Sequence, residues 1–381
     1  MQKSPWVIFL DNSEAFSGRK KRSATISINF SALQHNFQQV KKLATGSKIM
    51  PVIKANAYGH GLLQAADCLT DADGFAVAQL DEAIALREHG IEKPITVFQG
   101  FLNAEQLDLI FKFNLCPAIS QQWQLDLLEQ IDSETLIDVW LKINTGMGRL
   151  GFQLADVNKS FNRLKMNSKV NQLGLMMHFA NADEPAHISN QTQSDEFLKT
   201  VADCKRHNQG LEMITSAANS AAILANLLPV SNESPGQDWL RPGIMLYGSS
   251  PFADKTAADL ELKPVMSLQA TLIAINQLKK MQSVGYGNAW ICPENMPVGI
   301  VNIGYGDGYP RHAVDAPIAV NGQRCRIIGR VSMDSIAVDL RDIKCRCGDP
   351  VECWGEQISV DEVAASAQTI AYELLCNVGR C

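Results

Sequence analysis

The chain has 381 residues, 46% hydrophobic and 19% charged, and its 34 Lys and Arg against 40 Asp and Glu give a net charge of −6. That length exceeds one ordinary core and implies two domains, or one barrel plus an attachment. The acidic balance argues against a nucleic-acid partner, which requires a basic face, and no run of 18 apolar residues marks a membrane span.

Residues 1–24 read as an extension without periodicity. Its apolar patch, Trp6 to Leu10, is followed at once by Asp11, so it does not read as a signal peptide. The basic run Arg19-Lys20-Lys21-Arg22 reads as a solvated linker. Ten cysteines are too dilute for a disulfide scaffold. Cys345-x-Cys347, with Cys353 nearby, lacks the second pair that a zinc site needs, so no metal is expected. Reduced thiols in a cytoplasmic protein are the simpler account.

Residues 24–29 alternate, and 31–43 read as a helix with Leu33, Phe37, Val40 and Leu43 on one face. An apolar run at 50–54 then breaks into the turn Ala57-Tyr58-Gly59-His60-Gly61, and 62–69 is helical. Strand and helix alternate from there: strands at 74–78, 95–98, 115–119, 136–143, 173–178 and 211–215, helices at 80–89, 104–113, 121–131, 154–166, 189–207 and 220–228. Residues 241–247 close the series. Eight near-continuously apolar strands with helices between them indicate a parallel sheet covered on both faces. An open doubly wound sheet is not forbidden, but the count and even spacing favour a closed (β/α)8 barrel of the TIM type.

After Pro251 the rhythm changes. Short apolar runs at 265–275, 298–303, 318–320, 325–328 and 336–340, punctuated by Gly and Pro, read as a second, mainly β domain. A short helix at 360–367 precedes the end. The expected division is an extension over 1–24, a barrel over 25–258 and a β domain over 259–381.

In such barrels chemistry sits at the carboxyl ends of the strands. Lys54, the stretch from Lys142 to Arg149, His178, Ser216 to Ser220 and the neighbourhood of Arg241 fall there. Lys54 is the most telling. A lysine leaving a core strand keeps its stem among apolar groups, and partial burial favours the neutral, nucleophilic amine that a Schiff base needs. The alternative is a lysine whose head reaches water.

The segment Val52-Ile-Lys-Ala-Asn-Ala-Tyr-Gly-His-Gly61 resembles the cofactor-lysine segment of the alanine racemases, which use pyridoxal 5′-phosphate. The resemblance covers about residues 24 to 381, with further hallmarks in family order, and implies the following roles. Lys54 holds the cofactor as an aldimine and is one of two catalytic bases, while Tyr58 contacts the phosphate. In Leu141-Lys-Ile-Asn-Thr-Gly-Met-Gly-Arg-Leu-Gly151, Arg149 lies near the cofactor and the substrate carboxylate, for which a guanidinium offers two parallel donors. Lys142 matches a lysine that is carbamylated in many members. Asn144 departs from the Asp that members mostly carry. His178 lies against the cofactor ring, and Ser220, Gly243 and Ile244 bind phosphate. Arg241 faces the pyridine nitrogen and keeps it unprotonated.

In Val284-Gly-Tyr-Gly-Asn-Ala-Trp290 the resemblance makes Tyr286 the second base, with Gly285 where members often have Ser. Gly304 to Arg311 resembles the inner entryway, Met333 offers its amide to the carboxylate, and Tyr372 reaches the phosphate. The implied activity is interconversion of L- and D-alanine by two opposed bases, in a homodimer whose active sites are shared across the interface. A broad-specificity amino-acid racemase of the same fold, a decarboxylase and a non-catalytic cofactor-binding regulatory protein are the alternatives. Arg241 argues against the decarboxylase, which wants a carboxylate at the ring nitrogen, and Tyr286 against the regulator.

Overall fold

The structure, a computed structural model, describes residues 6–8, 24–206, 213–227 and 236–379. The basic run at 19–22 and the ends of the expected elements at 207, 211 and 228 lie outside the described residues. In chain order β1 (Trp6–Ile8) and β2 (Thr25–Asn29) come first. The helix Phe30–Leu43 follows, capped by Asn29, whose Oδ1 accepts the Ala32 N–H at 3.0 Å. Its buried stripe contains Leu33, Phe37 and Val40, whereas Leu43, expected on the same face, is exposed in the last turn.

A parallel barrel then forms from β3 (Lys48–Ile49), β4 (Phe75–Val77), β5 (Ile95–Val97), β6 (Cys116–Ile119), β7 (Ile137–Lys142), β8 (Val170–Met176), β9 (Ile214–Ser216) and β10 (Trp239–Leu240). β4 to β9 pair consecutively and β10 pairs with β3. Single parallel bridges, Val52 to Ala76 and Thr215 to Asp238, close the ring on either side of that pair. The first and last strands sit earlier than the apolar runs suggest. Beyond Ile49 the pairing thins to single hydrogen bonds, since Pro51 has no N–H to give. Residues 241–247 are not a strand. Pro242 and Gly243 end the extended chain, and Ile244–Tyr247 is a buried 3-10 helix. An apolar run of four cannot distinguish the two.

The second sheet contains β11 (Met266–Leu278), β14 (Met296–Val301), β15 (Pro317–Val320), β16 (Gln323–Ile328), β17 (Ile336–Asp339) and β18 (Pro350–Trp354), with a hairpin of β12 (Ser283–Val284) and β13 (Trp290–Ile291) beside it. The order β11-β14-β17-β16-β15-β18 returns to β11, so this sheet also closes, and it leaves few open edges. β2 lies antiparallel to β11, and β1 to β2, so the segment before the barrel completes the second sheet. Two helices end the chain, Val360–Ser366 and Ala371–Val378. One continuous core runs through both sheets. A smaller core of Val284, Cys292, Met296, Val298 and Ile328 supports the β12–β13 hairpin. At the seam, the Asp361 carboxylate accepts the Ser249 hydroxyl at 2.5 Å and the Ser250 N–H at 3.1 Å. Among the described residues no helix is long and apolar enough to cross a membrane.

Candidate active site

Lys54 opens a turn, Lys54–Gly59, whose handedness is reversed. Ala55, Asn56, Ala57 and Tyr58 all have φ of +53° to +54°. Left-handed backbone costs a non-glycine residue about 1–2 kcal/mol, so four in succession store roughly 4–8 kcal/mol. Such strain persists only where surroundings over-determine it, and it marks functional sites. Glu82 accepts the Asn56 N–H at 3.3 Å, and Asn56 Oδ1 accepts the Leu62 N–H at 2.8 Å. Gly59, at φ +84°, packs so closely on Leu375 of the last helix and on Gly379 just after it that a side chain would overlap the Leu375 carbonyl. Burial, then the charge of Arg149, holds the Lys54 ammonium below the ordinary lysine value, against smaller upward pulls from Cys376 and Glu82.

Beside Lys54 several donors converge. Asn219 caps the helix Ser220–Leu224 through Ala222 N–H at 3.0 Å, which frees Ser220 from that task. The Ser220 hydroxyl instead accepts the Gly243 N–H at 2.8 Å and the Met245 N–H at 3.4 Å. These amides open the 3-10 helix Ile244–Tyr247, where N–H groups lack intrahelical partners. A Cβ on Gly243 would stand 2.7 Å from the Tyr58 hydroxyl oxygen, so the phenol closes on bare backbone. Tyr58 in turn meets Tyr247 at 4.7 Å and Tyr372 at 5.9 Å, ring centre to ring centre. Burial raises the pKa of both Tyr58 and Tyr372, so both remain hydroxyl donors. Two phenol hydroxyls and one serine hydroxyl at a cluster of backbone N–H groups form an anion cradle.

Across the barrel mouth Arg241 follows β10. Its guanidinium donates to Ser216 Oγ, to the carbonyls of Met177 at 2.7 Å and Ala217 at 3.0 Å, and lies 3.4 Å from His178 Nδ1. Burial draws Arg241 down to about 9, which leaves it charged at neutral pH. His178 is held well below its ordinary value by burial first, then by Arg241, Lys142, Arg149 and Lys54. Lys142, 7% exposed, is drawn to about 7 by burial and then by Arg241, Arg149 and Lys54. Two arginines, and two lysines whose charged form burial disfavours, therefore surround one neutral imidazole, a field that attracts anions.

Arg149 rides on the loop after β7. Phe152 N–H donates to the Lys142 carbonyl and Asn144 N–H to the Phe152 carbonyl, which closes the loop at its base. Asn144 Oδ1 accepts the N–H groups of Gly146 at 3.1 Å and Gly148 at 2.9 Å. Two acceptor bonds are within the reach of an amide oxygen, so Asn does here what a carboxylate could. Gln193, which sequence reasoning missed, ties this loop to the next. Its amide donates to Thr145 Oγ1 at 3.2 Å and the His178 carbonyl at 3.1 Å, and accepts the Ala180 N–H at 2.9 Å. The available signal was a glutamine one turn before the apolar residues Phe197, Val201 and Cys204 on the buried stripe of the helix Ile188–Arg206, which also holds Asn190 and Thr200.

The second sheet contributes differently. Tyr286, in the β12–β13 turn, is 69% exposed, and Met333 is 53% exposed. The 304–308 segment clasps Met333, since Tyr305 N–H donates to the Ser332 carbonyl and Gly306 N–H to that of Met333. Arg311 lies over the Tyr305 ring at 5.4 Å. Lys54, Tyr58, Lys142, Arg149, His178, Ser220, Arg241, Gly243, Ile244 and Tyr372 are thus gathered at one end of the barrel, whereas Tyr286 and Met333 face outward on the other domain.

Comparison with known proteins shows the family of the chain. Residues 28–251 match the family described as alanine racemase, N-terminal domain, and residues 265–381 match alanine racemase, C-terminal domain. The alanine racemase of Nitrosococcus oceani is 47% identical over 354 residues, which cover 92% of this chain and 96% of that one. The alanine racemase of Coxiella burnetii is 44% identical over 363 residues, 93% and 96% of the two chains. The crystal structure of the biosynthetic alanine racemase of Pseudomonas aeruginosa superposes with a TM-score of 0.87 at 41% identity, over 94% of this chain and 97% of that one. With both domains matched and relatives this close along nearly the whole length, the chain belongs to the alanine racemase family of pyridoxal 5′-phosphate-dependent enzymes.

Proposed function

We propose that the chain interconverts L- and D-alanine with two bases, Lys54 and the Tyr286 of a second copy. The observation that carries this reading is the gathering of two arginines, Lys142 and a neutral histidine around one strained lysine turn. The residues suit the cofactor: a Cβ would fill the space between Gly243 and the Tyr58 hydroxyl, and such bare backbone beside Ser220 fits a phosphate. Tyr58, Ser220, Tyr372 and the amides of Gly243 and Ile244 would hold the phosphate, Lys54 the reactive carbon, and Arg241 the ring nitrogen. When bound, pyridoxal phosphate withdraws electrons from the substrate nitrogen and so acidifies the α-hydrogen.

Arg149 orients the amino acid by its carboxylate, with a bidentate fit, and the Met333 amide is the second carboxylate donor. Lys54 Nζ, depressed below the ordinary lysine value, takes the α-proton of the D form or returns it. Tyr286 Oη does so for the L form on the opposite face. His178, kept neutral, accepts from Arg241 without adding a positive charge. Lys142 supplies a neutral amine near pH 7. We assign it the addition of carbon dioxide: an N–C bond forms, one proton leaves to solvent, and the carbamate lies among Arg149 and Arg241.

What supports the homodimer is the exposure of Tyr286 and Met333 with that of Arg149 on the barrel. Symmetric pairing brings the face of one domain to the other in both copies at once. A cytoplasmic setting is supported by the thiols of Cys68, Cys116, Cys292 and Cys353, which form no disulfide among the described residues. The test is α-hydrogen exchange of L- and D-alanine in heavy water with purified protein and pyridoxal phosphate. Deuterium is expected to enter from both enantiomers with inversion. Bound cofactor without exchange would overturn the two-base assignment.

A further inference from the structure

The proton transfers assigned above leave one buried imidazole unused. His60 is fully buried. Its Nδ1 lies 2.9 Å from the Ala57 carbonyl oxygen and 3.0 Å from that of Tyr58. Both neighbours are acceptors only, so Nδ1 carries the proton. Its Nε2 is buried with no hydrogen-bond partner. An apolar ring would fill the same space but would leave the two carbonyls without this donor. The two carbonyls belong to the left-handed residues that follow Lys54.

The rest of the arrangement points the same way. The His60 ring stacks on Tyr247 at 4.6 Å, and Tyr247 stacks on Tyr58 at 4.7 Å. The Tyr247 hydroxyl donates to the Val52 carbonyl at 3.0 Å, two residues before Lys54. One pair of rings thus grips the chain on both sides of the lysine. Burial holds His60 at about 4, against the upward pull of its two carbonyls, so the ring is neutral at working pH.

We propose that His60 is a positioning residue, whose Nδ1–H locks the left-handed turn and so sets where Lys54 and Tyr58 point. It touches neither substrate nor cofactor and acts through those two side chains. This rests on the reading of Lys54 and Tyr58 given above, but its structural part stands without it.

His60→Phe keeps the ring stack and removes the donor, whereas His60→Asn places an amide N–H near the position of Nδ1. In the full chain without added cofactor, amide hydrogen exchange over residues 54–60 is expected to quicken about tenfold or more in H60F, the loss of one hydrogen bond's net worth, and to return towards wild type in H60N. Pyridoxal phosphate affinity, read by absorbance titration, should fall in H60F and recover in H60N. Unchanged exchange in H60F, or failure of Asn to restore it, would overturn the proposal. If H60F does not fold, the nitrogen-15 shifts of wild-type His60 decide: a proton on Nδ1 supports the lock and a proton on Nε2 refutes it. Neither exchange nor tautomer depends on Tyr286, so an error in the two-base reading would leave these outcomes standing.

Discussion

Arg241 and His178 meet nitrogen to nitrogen at 3.4 Å, in a mouth where the guanidinium also binds Ser216, Met177 and Ala217. The contact faces a donor with Nδ1, so the neutral ring carries its proton on Nε2. Arg241→Met removes that donor and the second cause of the depressed His178 pKa. The His178 titration, followed by NMR, should move up towards the ordinary histidine range. Stability should fall by roughly 3 kcal/mol as two carbonyls and a hydroxyl lose a charged donor. An unmoved His178 titration would mean that burial alone sets it.

Lys142 makes a pH-dependent prediction. Its folded value, about 7, lies below the ordinary 10.5. The fold disfavours the ammonium, so the penalty is complete below pH 7 and is relieved as pH rises from 7 to 10.5. In that window the unfolded chain binds more protons, and stability climbs with pH. The full penalty is roughly 5 kcal/mol. In protein kept free of carbon dioxide, Lys142→Met should therefore raise the thermal midpoint at pH 6 and leave it nearly unchanged above pH 10.5, while racemisation drops. Equal gains at both pH values would show that packing, not charge, is responsible.

Two glycines separate cofactor binding from architecture. Gly243→Ala sets a methyl 2.7 Å from the Tyr58 hydroxyl, and should weaken pyridoxal phosphate binding about tenfold or more with little change in folding. Gly59→Ala combines positive φ with overlap on Leu375, and should lower stability by about 2–4 kcal/mol. Cofactor titrations and thermal melts of the two variants check this pattern, and identical profiles would contradict it.

Gln193 should act on substrate orientation through Thr145 and the His178 carbonyl. Gln193→Leu removes three hydrogen bonds within one buried side chain's reach, and should loosen the Arg149 loop. The Michaelis constant for alanine is expected to rise more than the turnover number falls, because carboxylate binding is the property lost. A variant with both constants unchanged would leave Gln193 a purely structural residue.

The sequence carried the barrel's rhythm well wherever a strand was long and unbroken, as in β7 and β8, and the helix Leu154–Met166 was read to the residue. It misled where a short apolar run met a proline, at 50–54 and 241–247, since strand, turn and 3-10 helix share that signature. β18 was hidden by Glu352 within a strand of five, and the final helix by its eight-residue length. The residues gathered at the barrel mouth were legible because chemistry-bearing side chains follow strand ends. The left-handed turn was not, because Ala and Tyr carry no marker for positive φ, a single Asn marks one residue and not a run of four, and tertiary clamps such as Gly59 against Gly379 select it. Gln193 and His60 escaped for the same reason: their partners are carbonyls and a hydroxyl fixed by the fold.

We propose that each active site takes Lys54 from one copy and Tyr286 from another. Lys54→Ala and Tyr286→Phe proteins, each inactive alone, can be unfolded, mixed in equal amounts and refolded together. In random pairing half the dimers are mixed, and each mixed dimer holds one intact site, so about one quarter of wild-type racemisation is expected. No recovered activity, with mixed dimers demonstrated by mass, would contradict the shared site.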